Sequence, residues 1–245
     1  MVSENSLWID IKPLGISVTP LTACEAAAVA AHSSGKKLLL NHNLHSAYLH
    51  ETDSDFCALY RLADWVVIDG TPIRWLASLS LSEKLKSRYR IGSTDWIPQL
   101  ANTEVARRLF VYGSTAVSNR RAVGRLQELL PDWLIAGIDG YGAPDGAIRR
   151  MSEFDPDIVL IGLGMPLQEH FLLRNWSILP DATYATVGGA IDYLSGTTRI
   201  APRWLAVFGL EWAWRFINEP KRLAHRYLVE PFLLLARAFR RRTSR

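Results

Sequence analysis

Short apolar runs rich in β-branched and aromatic residues recur along the chain, each followed by a small or polar loop and then a longer amphipathic stretch. This alternation constrains the fold more than any other feature, because parallel strands need crossover connections and helices are the usual way to make them. Strands are expected at 37–40, 65–68, 109–112, 134–138, 158–161 and 184–187, with helices at 55–63, 73–81, 95–107, 116–130 and 168–175. An earlier helix is marked by Thr22 with Glu25 three residues on, a capping box, and by Gly35 as its stop. The fold class is therefore α/β, a Rossmann-like core with a largely parallel sheet over residues 1–200. With hydrophobic residues at 49%, the chain has enough apolar surface for a full core.

The pattern changes after Pro202. The sequence becomes helix-forming, aromatic and basic, and Pro220 and Pro231 divide it into about three helices. A soft boundary falls at 196–202, leaving 201–245 as a C-terminal helical appendage. From Glu211 onward there are nine Lys or Arg against three Glu, a net +6, so residues 1–210 carry −2 and all the excess positive charge sits in the tail. Helices that set tryptophan and leucine against arginine suit a membrane interface, with rings at headgroup depth and guanidinium groups on anionic phosphates. The competing reading packs Trp204, Trp212 and Trp214 on the core and leaves the arginines solvated. No RNA- or DNA-binding motif accompanies the basic residues, so a nucleic-acid partner is not expected.

Several classes are excluded. Cys24 and Cys57 have no ligand or disulfide spacing, the six histidines form no HxxxH pair, and a GxSxG elbow is missing. No stretch approaches the ~18 uncharged apolar residues of a membrane-spanning helix, and no secretory leader precedes the first element. A reducing cytosolic setting is the expectation.

Ligands of open α/β sheets bind outside the carboxyl ends of the strands. The loops there are "NHNLH" (41–45), "DGTP" (69–72), "YGST" (112–115), "DGYG" (139–142), "GLGMPLQE" (162–169) and "VGGAID" (187–192). Asp69 ends a buried strand, either as a cap or turn residue or placed for reaction. Gly113 and Ser114 stand before a helix start, where free amides favour a phosphate, though GxGxxG and the Walker lysine are both missing. Gly188 and Gly189 allow close backbone approach before Asp192, which either caps a helix or accepts from sugar hydroxyls. Gln168 and Glu169 fall in the first turn of a helix.

Taken in order, "NHNLH", "VVIDGTPIRW", "IGSTD", "DGY", "DIVLIGLGMPLQE", "VGGAIDYLSGTTRIAPRWL" and "GLEWAWRFINEPKRLAHRY" resemble the WecG/TagA/CpsF glycosyltransferases, glycosyltransferase family 26. The resemblance spans roughly residues 10–230. It implies a nucleotide-sugar-binding catalytic core and an inverting, β-forming hexosyltransferase that needs no metal or other cofactor. The implied donor is a UDP-sugar, and the acceptor a polyprenyl-pyrophosphate-linked sugar used in cell-surface polysaccharide biosynthesis. The implied location is peripheral, on the anionic cytoplasmic face of the inner membrane, and self-association is compatible with it. Asp69 matches the family base, and Asn41, Asn43 and Gln168 match catalytic positions. Asp192, Tyr141, Gly113, Ser114, Gly188 and Gly189 match the nucleotide and sugar pocket, and Arg215, Arg222 and, more loosely, Arg226 match cations for the pyrophosphate. Many relatives have threonine where Asn41 stands, so N-acetylmannosamine, its uronic acid and glucose all remain open as the hexose.

Two other readings compete. One is a non-catalytic membrane- or partner-binding module on the same fold. The other is a metal-dependent nucleotide-sugar enzyme using Asp53 and Asp55, whose "DSD" string otherwise reads as a helix cap.

Overall fold

The structure, a computed structural model, describes residues 8–81, 83–105, 107–198, 211–218 and 220–243. A short antiparallel hairpin, β1 (Ile9–Ile11) and β2 (Ile16–Val18), precedes α1 (Ala23–His32), which opens on the expected Thr22–Glu25 capping box. Six parallel strands follow, β3 (Lys37–His42), β4 (Trp65–Ile68), β5 (Arg108–Gly113), β6 (Leu134–Ile138), β7 (Ile158–Gly162) and β8 (Thr183–Thr186), in the sheet order β4-β3-β8-β7-β5-β6.

Both faces of the sheet are covered. Leu38, Leu40, Val66, Ile68, Phe110, Tyr112, Val159, Ile161 and Tyr184 point into one apolar layer, while Leu39, Val67, Leu109, Val111, Ile158, Leu160 and Ala185 point into the other. Side chains alternate across a strand, so a strand buried on both faces must be apolar at successive positions. The first layer is closed by the hairpin and by α2 (Leu44–Thr52), α3 (Ser54–Tyr60), α4 (Thr71–Leu81), α7 (Pro144–Phe154) and α8 (Leu167–Asn175). The second is closed by α1, the short α5 (Ser93–Trp96) with the 3-10 turn Ile97–Asn102, α6 (Ala116–Leu129) and α9 (Ala190–Leu194).

Three sequence expectations are corrected. The "NHNLH" string is not a loop, because β3 runs through His42 and Asn43 alone separates it from α2. The helix expected at 95–107 is one turn of α5 followed by 3-10 geometry, since Pro98 has no amide to continue an α-helical ladder. The expected helix at 55–63 is α3, which starts one residue earlier, with Asp53 as its cap, and ends three residues sooner, at Tyr60.

The C-terminal segment forms α10 (Glu211–Asn218), α11 (Pro220–Leu228) and α12 (Glu230–Thr243), with Pro220 and Pro231 in first turns, where a missing N–H costs nothing. Residues 199–202 of the soft boundary, Trp204, and the side chains of Trp212, Arg215 and Arg222 lie outside the described residues. Helix α12 packs on α2, and Leu234 is buried in the first apolar layer. Arg237 lies 6.0 Å from the Tyr48 ring. No described helix is long and apolar enough to cross a membrane.

Candidate active site

The chain leaves β5 toward β6 and β7 toward β8, in opposite directions, so a crevice opens at the carboxyl ends of the central strands. Residues from two stretches of this edge form two polar groups.

The first centres on Asn43. Its Oδ1 accepts from Ser46 N (3.0 Å) and its backbone N–H donates to Ser46 Oγ (2.7 Å), a reciprocal cap that fixes the side-chain rotamer. With Oδ1 committed to the helix end, Nδ2 is turned to Asp69 and donates to Oδ2 at 3.2 Å. The Asp69 backbone N–H is held by His42 O (2.9 Å), and the carboxylate is half-buried at the end of β4. Arg226, carried in by α11, brings a guanidinium nitrogen to 3.5 Å from Asn43 Oδ1.

A buried carboxylate–histidine contact fixes the start of α12 beside the end of α11, which carries this arginine. Glu230, the first residue of α12, has its Oε2 2.6 Å from His45 Nδ1 on α2 and its Oε1 3.4 Å from His225 Nδ1 on α11. Burial alone would raise this carboxyl. The His45 and His225 contacts and the Arg226 charge outweigh burial and hold it below its ordinary value. His45 and Glu230 stand 185 residues apart in sequence, and neither was anticipated as a site residue.

The second group gathers the ends of β5, β7 and β8. Ser114 has φ 60°, and its Oγ donates to Asp192 Oδ1. Its backbone N–H reaches Gly162 O (3.2 Å) and its carbonyl accepts from Gly140 N (2.9 Å). Gly113, at φ 131°, admits no side chain, because a Cβ there would lie 2.4 Å from Gly162 O. By contrast, a Cβ on Gly188 or Gly189 would meet open space. Asn119, buried on α6, donates through Nδ2 toward Val111 O (3.1 Å), Gly113 O (3.0 Å) and Ile138 O (2.9 Å), tying the ends of β5 and β6 together. Asn41 Nδ2 donates to Thr186 O (3.0 Å), joining the edge of β3 to that of β8. Tyr141 reaches the same edge on the turn after β6 but is 82% exposed.

Gln168 and Glu169 are both fully buried, at 0% exposure. Gln168 Oε1 accepts from Gly188 N (3.1 Å) and its Nε2 donates to Glu169 Oε1 (2.8 Å). Glu169 Oε2 is buried with no hydrogen-bond partner among the described residues. Burial, with a smaller push from the Asp53 charge, raises the Glu169 carboxyl to about 8. Taking a carboxylate out of water costs several kcal/mol, and the Gln168 bond to Oε1 offsets only part of it, which favours the neutral acid. Close by, His42 is buried, stacks on Tyr60 (4.3 Å) and stays well below its ordinary pKa, through burial first and then the His50 charge.

Asp53 acts as a cap. Its Oδ1 accepts from Phe56 N (3.0 Å), and its Oδ2 lies 2.8 Å from His170 Nε2. Asp55 faces Arg174 at 3.9 Å across an exposed surface. Both carboxylates therefore have helix or ion-pair partners, and no group of three His, Cys, Asp or Glu stands together for a metal among the described residues.

The family model described as "Glycosyl transferase WecG/TagA/CpsF family" matches residues 11–245. The N-acetylglucosaminyldiphosphoundecaprenol N-acetyl-beta-D-mannosaminyltransferase of Bacillus subtilis (strain 168) is 28% identical over 174 residues, 69% of this chain and 67% of that protein. A protein of the same name from Staphylococcus aureus (strain MRSA252) is 26% identical over 240 residues, 95% of this chain and 94% of that one.

Proposed function

The chain belongs to the WecG/TagA/CpsF family of glycosyltransferases, and we propose that it moves an N-acetylmannosamine-type hexose from a UDP-sugar to N-acetylglucosamine carried on undecaprenyl diphosphate. Its relatives' names support that donor sugar and acceptor, and its own edge residues support the chemistry. One observation carries the reading: a strand-end carboxylate, Asp69, oriented by a capping asparagine, with Arg226 arriving at the same asparagine.

In this reading the acceptor hydroxyl oxygen attacks the anomeric carbon as the bond to UDP breaks on the opposite face, which inverts the centre. Asp69 takes the hydroxyl proton, and the bonding pair leaves with the diphosphate. Asn43 aims the carboxylate through its Nδ2 and meets Arg226 through Oδ1, so the base and a cation share one pivot. Charge growing on the diphosphate is met by cationic side chains of the tail and by the first-turn amides of α6 after Thr115, an electrostatic stabilisation that needs no metal. The enzyme works as a peripheral protein on the cytoplasmic membrane face, where the lipid-linked acceptor lies.

The test is UDP release in EDTA with a panel of UDP-sugars and a short-chain polyprenyl-diphosphate-linked N-acetylglucosamine. Acceptor-dependent release with one donor is expected. Asp69→Asn should lower kcat by about 10²–10⁴-fold while UDP affinity holds. Equal loss of binding would make Asp69 a structural cap, and a strict manganese requirement would overturn the metal-free step.

A further inference from the structure

We propose that Glu169 is a positioning residue for this transfer: its carboxyl holds the Gln168 amide in one orientation and, through it, fixes the Gly188 turn of the donor pocket. The proposal rests on the glycosyl-transfer reading above. A glutamine side chain has two faces of opposite polarity, and here each meets its complement. The carbonyl oxygen takes the Gly188 N–H (3.1 Å), and the NH₂ is taken by Glu169 Oε1 (2.8 Å). A flipped amide would set NH₂ against N–H and oxygen against oxygen, so Glu169 and the Gly188 N–H together select one orientation of Gln168. Gly188, with φ 50°, opens the turn that leads to Asp192, and Asp192 is itself held by Ser114. The turn is thus fixed from both ends, by Ser114 from β5 and by the Gln168–Glu169 pair from α8.

The carboxyl does this as a neutral acid. With Oε1 accepting from Gln168, the acid proton belongs on Oε2, which is buried without a partner among the described residues. From α3, Asp53 and Tyr60 act on Glu169 or are acted on by it, and both couplings oppose a second negative charge. His170, the next residue of α8, is paired with Asp53, and His42 on β3 stacks on Tyr60 while burial keeps it neutral. Glu169 is in the first turn of α8, as its sequence position indicated, but unlike an exposed N-terminal carboxylate it is fully buried. Ionisation would leave a charged oxygen buried without a hydrogen-bond partner among the described residues. The side chain would then have to turn out or draw water in, and the Gln168 lock would open.

The experiment compares wild type, Glu169→Gln and Glu169→Leu by UDP calorimetry and by donor KM and kcat, from about pH 6 to about pH 10. Glutamine keeps a neutral acceptor, so Glu169→Gln should match wild type within about twofold at pH 7 and rescue what leucine loses. Wild-type UDP affinity should weaken as pH rises through about 8, with donor KM rising in step and kcat changing less, whereas Glu169→Gln should stay flat. Glu169→Leu should weaken UDP binding by about tenfold at every pH. An alkaline loss shared by wild type and Glu169→Gln, or wild-type UDP affinity in Glu169→Leu, overturns the proposal. If Glu169→Leu does not fold, the comparison of wild type with Glu169→Gln decides alone. Absence of acceptor-dependent UDP release in wild type would overturn the transfer reading, while the pH dependence of UDP binding would still test Glu169.

Discussion

Ser114 occupies a backbone conformation that glycine takes more readily, with φ 60°, and it places a hydroxyl on Asp192 from that position. Left-handed backbone costs a non-glycine residue about 1 kcal/mol, whereas a hydrogen bond to a charged group returns about 1.5–3 kcal/mol, so serine is tolerated only because of its oxygen. Two substitutions separate these effects. Ser114→Ala keeps the strain and loses the bond, while Ser114→Gly loses the bond and the strain together. We expect urea unfolding to find the glycine variant more stable than the alanine variant by about 1 kcal/mol, with both binding UDP-sugar more weakly than wild type. Equal stabilities would mean that the turn relaxes once the hydroxyl is gone. Position pointed to Asp69, a carboxylate that ends an apolar strand, to Ser114 at a helix start and to Asp192 after two glycines, whereas Asn43 entered through the family resemblance. The partners that orient them were not legible: nothing local to Asn119 marks it as the stitch across β5 and β6, and nothing local to Glu169 marks it as buried.

Among the described residues, helix α12 is held on α2 by Leu234 in the apolar layer, by Arg237 over the Tyr48 ring, and by the Glu230 carboxyl bonded to His45. The last of these depends on pH. Because the Glu230 carboxyl is held below its ordinary value of 4.5, its contribution is present above that value and is lost as pH falls through the lowered one. Hydrogen exchange should therefore show α12 amides losing protection on acidification below about 4.5 in wild type. Glu230→Gln should show reduced protection already at neutral pH, no further loss on acidification, and slower transfer because Arg226 is no longer held at Asn43. Unchanged protection in that variant would mean that Glu230 does not anchor α12. At this scale the six parallel strands were legible as short runs rich in apolar, β-branched or aromatic residues, which burial on two faces demands of β4, β5 and β7, while β6 at the sheet edge is only partly buried. The hairpin escaped notice because three-residue strands are too short for alternation to register. Helix α2 was hidden by the polar "NHNLH" string, whose histidines and asparagines suited a loop but are spent on a strand end and a cap. Helix α7, after "DGYG", was missed because it opens on Pro144 directly after that turn.

The molecule as a whole separates its tasks by charge, with the +6 of the chain from Glu211 onward concentrated in the helices that also carry Arg226 to the sheet edge. Those helices turn Leu223, Glu230 and Leu234 inward and leave Ile217, Leu228 and Phe232 exposed. If the exposed apolar side chains enter a bilayer interface, the element that recognises the membrane is the one that supplies a cation to the site, and the lipid-linked acceptor meets a complete edge only there. Each basic residue near an anionic surface adds about 1 kcal/mol, screened over a Debye length of about 8 Å at physiological salt. The protein should therefore sediment with phosphatidylglycerol-containing vesicles and be released as salt is raised. Ile217→Asp combined with Phe232→Asp, both at exposed positions, should abolish sedimentation and lower transfer to a long-chain acceptor embedded in vesicles. Transfer to a short-chain soluble acceptor should persist at the wild-type rate. Retained vesicle binding in the double variant would overturn the interfacial role of these side chains. An equal loss on both acceptors would mean instead that the substitutions act through the site, by displacing the helices that hold Arg226 against Asn43.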